Sequence, residues 1–144
     1  KNNPLLNRFK IVLVGSHIDK SSLLIKRNLL KYKNVKIYND LSESKLLQLI
    51  ANSSFAVFPS NYEGFGMPIL ETIAVKKKIL ISKSLRLKHF NNCSLVRKVD
   101  FKKGVTKNDL KWTNSPVKQP IKYPSCFVGW EDVSVKIKKL LKIN

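Results

Sequence analysis

The chain is poor in the residues on which most metal, redox and nucleophile chemistry depends. Of its 144 residues two are cysteine and two are histidine. Cys93 and Cys126 form no C-x-x-C pair and have no metal-ligand spacing, so two buried or free thiols in a reducing compartment is the plain reading. His17 and His89 each stand without the partner that zinc ligation or activation of a nucleophile demands. Acids are scarce at nine Asp and Glu, with no Asp-x-Asp cluster to chelate a metal, so no metal or cofactor is implied. No apolar run approaches the roughly 18–20 residues of a membrane span, and no signal peptide is expected. Glycine is scarce too. The five present do not supply G-x-G-x-x-G after the first predicted strand, where Gly15-Ser16-His17-Ile18-Asp19 stands, and this argues against a nicotinamide site.

Positive charge is abundant. The 28 Lys and Arg against nine acids give a formal +19, a balance that raises nucleic acid or an anionic membrane as partner. Only four of the 28 are Arg, whereas base-reading proteins favour the planar guanidinium fork. The lysines are scattered, Lys76-Lys77-Lys78 being the single triple, and the many Asn, Ile and Lys fit an AT-rich coding bias. No specific nucleic-acid partner is expected. Attraction to an anionic bilayer face fits better, since each Lys near such a surface contributes about 1 kcal/mol.

A chain of this length, 43% hydrophobic, can bury one core. Strand and helix patterns alternate along it. Phe9 to Val14 reads as a strand, followed by a helix with Asp19 or Ser21 as N-cap. Val35 to Tyr38 is a second strand, and Ser42 caps a helix carrying Leu46, Leu47, Leu49 and Ile50. Phe55 to Phe58, a helix from Pro68, and Ile79 to Ser82 complete another strand-helix-strand unit. Such alternation predicts an α/β, Rossmann-like parallel sheet with helices on both faces, its ligands bound beyond the carboxyl ends of the strands. The segment Thr113 to Pro124, with three prolines, reads as a long surface loop.

The most informative run is Pro59-Ser60-Asn61-Tyr62-Glu63-Gly64-Phe65-Gly66-Met67-Pro68-Ile69-Leu70-Glu71. Gly64 and Gly66 allow positive φ and close approach of a ligand to the main chain. Pro68 suits the first turn of a helix, where its missing N–H is not needed. Amides from Phe65 to Ile69 are then expected to stand unpaired above the strand end, a ready anion site. Glu71, one turn into the helix, would accept hydrogen bonds from paired hydroxyls such as those of a ribose, while Glu63 would face the other end of the ligand.

The run resembles the signature of retaining family-4 glycosyltransferases of the GT-B fold, with a Glu, seven residues and a second Glu around a Gly-Phe-Gly turn. The resemblance implies that Glu71 holds the donor ribose and that Glu63, the candidate catalytic residue, contacts the donor sugar near its reacting end. Backbone amides of Gly64, Phe65, Gly66 and Met67 would reach sugar hydroxyls and phosphate. The stretch from Val35 to Ser42 is similar to the family's sequence ahead of its signature, which makes Tyr38 and Asn39 candidate neighbours of the base. Gly129-Trp130-Glu131-Asp132-Val133 looks like the family's closing segment, with 130–142 the final helix and Trp130 a packing anchor. Residues 1–144 would then be a partial C-terminal donor-binding domain. The chain opens on Lys1 and not Met, and is expected to be a fragment, a split-gene product or a remnant.

Two departures qualify the resemblance. The family's earlier strand, with the Arg and Lys that neutralise the donor pyrophosphate, has no counterpart, and neither has the N-terminal acceptor domain. Beyond the Ile79–Ser82 strand, where the family carries a further acid, the sequence reads Leu85-Arg86-Leu87-Lys88-His89-Phe90. The implied activity is transfer of a hexose, with retention, from a UDP, GDP or ADP sugar to a hydroxyl of a glycan or lipid-linked acceptor, in the cytoplasm at the membrane face. The rival is a non-catalytic nucleotide-sugar or polyanion-binding remnant. A glycoside hydrolase would use two carboxylates but no amide-rich phosphate cradle.

Overall fold

A computed structural model describes residues 9–15 and 20–124. Its elements run β1 (Ile11–Val14), α1 (Lys20–Leu29), β2 (Val35–Tyr38), α2 (Glu43–Asn52), β3 (Ala56–Phe58), α3 (Met67–Ala74), β4 (Ile79–Ser82), β5 (Val96–Val99) and α4 (Lys107–Asn114), with a 3₁₀ turn at Lys88–Phe90. Among the described residues all strand pairing is parallel, as the alternation of strands and helices predicts. It forms two ladders, β1–β2 and β3–β4–β5. The fold is α/β and Rossmann-like. The chain divides into two compact units at Leu46–Leu47, inside α2.

In the first unit Ile11 to Val14 register against Val35 to Tyr38. The pairing begins with Ile11 N–H donating to Asn34 O at 2.8 Å, and the Asn34 amide donates to Phe9 O at 2.8 Å. The strand therefore starts two residues later than Phe9. Ser21 is the second residue of α1, and Asp19 is outside the described residues. Lys26 and Arg27 in the last turn of α1 suit its negative end. Many apolar side chains of this unit face outward, among them Val12, Leu13 and Val14 of β1 and Leu23, Leu24 and Ile25 of α1.

The core lies in the second unit. β4 is its central strand, pairing with β3 on one side and β5 on the other. Ile79, Leu80, Ile81 and Ser82 are all buried, as a continuous apolar run between two neighbours should be. β3 alternates instead: Ala56 and Phe58 pack on the core while Val57 is exposed. Ile69, Leu70 and Ile73 form the buried stripe of α3 at helical spacing, and with Ile79, Ile81, Leu85, Leu87, Phe90 and Leu95 they make one cluster.

α3 ends in a Schellman motif. Lys76 N–H donates to Ile73 O at 2.8 Å and Lys77 N–H to Thr72 O at 3.1 Å. Lys76 takes the left-handed position (φ 57) usually given to glycine.

The stretch after β4 holds more order than its sequence suggests. Arg97 and Lys98 interrupt the apolar pattern of β5, yet it completes the ladder. α4 begins at a capping box, Thr106 Oγ1 accepting from Asp109 N–H while Asp109 accepts from Thr106 N–H. The Thr106 hydroxyl is the main reason the Asp109 carboxyl titrates below its ordinary range. Burial opposes that shift, and the Arg97 guanidinium, 2.7 Å away, supports it. Lys78, the last of the lysine triple, is buried. Its ammonium donates to the carbonyls of Trp112 and Ser115, each at 2.6 Å, and so caps the C-terminal end of α4. Burial lowers its pKa below the ordinary lysine value.

The expected loop from Thr113 to Pro124 begins only after Asn114, and it is not wholly a surface segment. Thr113 is buried in α4, and Val117 and Ile121 pack against the core. The expected closing helix at 130–142 and Cys126 lie outside the described residues; Cys93 is buried.

Candidate functional site

β3 delivers the chain to Pro59 at its carboxyl end, and the next seven residues turn back towards α3. Two attachments hold this loop. The first is Asn61, whose side-chain oxygen accepts from Ser82 Oγ at 3.0 Å and Ser84 Oγ at 2.6 Å, tying the loop to the end of β4. The second is Phe65. Its ring stacks on His89 with centroids 5.4 Å apart, and its carbonyl accepts from His89 Nε2 at 3.2 Å. A carbonyl can only accept, so Nε2 carries the proton. His89 is therefore not the solitary residue its sequence context suggests: it packs on Phe65 and on Phe90, 4.2 Å between centroids.

Gly66 sits where the loop becomes helix. It is the N-cap of α3, left-handed at φ 84 and ψ 43. A Cβ there would lie 2.8 Å from Leu87 Cδ1 and 3.0 Å from Phe90 Cε2. Conformation and space both call for glycine. Gly64 differs: it is exposed, has open space around it and lies outside the left-handed region, so only one of the two expected positive-φ glycines is used that way.

The amide cradle is also shorter than expected. Ile69 N–H donates to Gly66 O at 3.0 Å and Leu70 N–H to the same oxygen at 3.2 Å, which removes Ile69 from the free set. The amides of Gly64, Phe65, Gly66 and Met67 donate to no other described residue. Pro68 has no N–H and takes its place in the first turn of the helix.

The two acids stand on opposite sides of this turn. Glu71 is half-buried in α3, one turn beyond Gly66. Glu63 is half-buried before the turn and lines an open depression of about 260 Å³ together with Asn61, Tyr62, Ser84, Leu85 and Arg86. Tyr62 is 88% exposed. Tyr38 and Asn39 belong to the first unit, exposed at the carboxyl end of β2, where Tyr38 O accepts from Gly15 N–H at 3.2 Å.

Among the described residues no three His, Cys, Asp or Glu side chains gather where a metal ion could sit, and no helix is long and apolar enough to cross a membrane.

The family model described as glycosyl transferases group 1 matches residues 1–92. The chain belongs to this family. Neither the curated proteins nor the solved structures gave a match. Group 1 membership assigns the chain to glycosyl transfer, with a sugar donor and an acceptor as its partners. The matched stretch contains the whole Pro59–Glu71 segment and the Leu87–Phe90 wall behind it, while β5 and α4 lie beyond.

Sequence reasoning singled out the acids and glycines of this transferase but missed the groups that brace them. Asn61, Ser82, Ser84 and His89 are ordinary polar residues until the fold brings them together. The one readable signal was the spacing of Leu85, Leu87 and Phe90, which are buried under the turn.

Proposed function

We propose that the Glu63–Glu71 segment is the donor subsite of a retaining hexosyltransferase of the GT-B type, acting on a nucleotide-diphosphate sugar. The observation that carries this reading is a turn fixed by Gly66 against Leu87 and Phe90, with amides that donate to no other described residue and a glutamate before and after it in the chain. In this reading Glu71 accepts hydrogen bonds from the ribose hydroxyls. The amides of Gly64, Phe65, Gly66 and Met67 face the diphosphate and lower the cost of its departure, because preorganised donors need no rearrangement as charge develops. Glu63 orients the donor sugar near its anomeric carbon. Residues 1–144 are part of the C-terminal donor-binding domain of such an enzyme. The acceptor is a hydroxyl of a glycan or lipid-linked chain, met at an anionic membrane face that the +19 charge favours.

That same charge supports a second reading, unselective binding of polyanions. Ligand-observed NMR with UDP, GDP and ADP sugars at moderate salt separates the two. The donor reading expects preference for one nucleotide, weakened by about 2–4 kcal/mol in Glu71→Ala as two charge-assisted bonds are lost. Equal binding of every nucleotide, unchanged in the folded variant, would leave only the charge as cause.

A further inference from the structure

The depression beside Glu63 holds a second charged group that the donor reading does not use. Arg86 lines it on the side formed by the segment after β4. Its neighbours in sequence, Leu85 and Leu87, are 2% and 7% exposed, so the main chain is pinned on both sides while Arg86 is exposed. Across the depression Asn61 is already engaged by Ser82 and Ser84. Glu63 and Arg86 are not: neither makes a hydrogen bond or ion pair with another described residue, and the one ion pair among those residues is Arg97–Asp109. Two opposite charges thus line one depression without neutralising each other.

The choice of residue matters here as much as its position. The chain has 24 lysines and four arginines, so a cation needed only for general charge would almost always be lysine. Arg97 is paired with Asp109, and Arg27 lies in the last turn of α1. Arg86 alone among the described arginines borders this depression. A planar guanidinium binds an oxyanion through two parallel bonds, which an ammonium cannot reproduce. The carboxylate opposite accepts hydrogen bonds and suits hydroxyl groups.

We propose that Arg86 is a donor-binding residue that grips an oxyanion of the sugar nucleotide, the β-phosphate or a carboxylate on the transferred sugar, while Glu63 takes hydroxyls of the same ligand. The proposal rests on the donor reading above. It makes the site's cation local to the depression.

The test is titration of the full chain and of Arg86→Gln, Arg86→Lys and Lys88→Gln with a nucleoside monophosphate, the nucleoside diphosphate, its diphosphate hexose (uncharged sugar) and its diphosphate hexuronate (anionic sugar). Lys88 is an exposed cation two residues away, outside the lining, and controls for general charge. Arg86→Gln should weaken its ligands by roughly 10- to 100-fold, the worth of charge-assisted bonds, with only partial rescue by Lys. Loss for all diphosphates but not the monophosphate identifies the β-phosphate, and loss for the hexuronate alone identifies the sugar carboxylate. Either supports the proposal. Unchanged binding in Arg86→Gln, with Glu71→Ala still impaired, overturns it and leaves the donor reading intact, as does an equal loss in Lys88→Gln. No Glu71-dependent nucleotide binding by the unaltered chain removes both.

Discussion

β1 and β4 are nearly the same strand on paper and opposite in the fold. Ile-Val-Leu-Val and Ile-Leu-Ile-Ser are both four residues, apolar and in parallel ladders. Yet β4 is buried throughout, while Val12, Leu13 and Val14 are 43%, 37% and 42% exposed. The difference is the company each keeps. β4 has a partner on each edge and α3 packed over it, whereas among the described residues β1 pairs with β2 alone. Composition sets what a strand can bury; the number of neighbours sets what it does bury. The candidate site follows the same division. Its braces, Ser82 and Ser84 at the end of β4 and the Leu87–Phe90 wall, belong to the well-packed unit, so the Gly66 turn rests on buried side chains.

That contrast can be broken by measurement. Leu80→Ala should cost the most, about 2–5 kcal/mol of unfolding free energy in urea titration, because it opens a cavity in a fully buried strand. Gly66→Ala comes next at about 1–3 kcal/mol, combining left-handed strain with displacement of Leu87 and Phe90. A cost near zero would mean that the turn rearranges easily and is not braced. Leu13→Ala should have the smallest effect, within about 0.5 kcal/mol, as for other exposed positions. A cost there approaching that of Leu80→Ala would show β1 to be covered in solution and would end the comparison.

The sequence announced the parallel α/β pattern because period and length agree at each predicted element. Val35–Tyr38 and Ile79–Ser82 were readable to the residue, and Pro68 marked the first turn of α3. β5 was not readable, since Arg97 and Lys98 look like a solvated stretch until Arg97 is seen against Asp109. α4 escaped for a related reason. With Leu110 and Trp112 as its apolar residues it has no stripe, and it relies on the Thr106–Asp109 capping box and the Lys78 cap. Glu63 and Glu71, the two acids of the proposed site, stood out by their spacing around the Gly-Phe-Gly turn and by the family resemblance of that run. The clasp of His89 on Phe65 was not, because it joins residues 24 apart through the fold.

The seat of Lys78 has a consequence for where this domain can be cut. Similarity to the family ends at residue 92, but the edge of a family match is not the edge of a cooperative folding unit. A chain ending there would strip β4 of its β5 edge, remove the buried Leu95, and leave the Lys78 ammonium without the carbonyls of Trp112 and Ser115. The residues matched to the family would then have lost β5, which pairs with β4, and α4, which Lys78 caps. The matched stretch carries the family's pattern, while β4, to which the Pro59–Glu71 loop is tied, finds its second strand partner in the unmatched one.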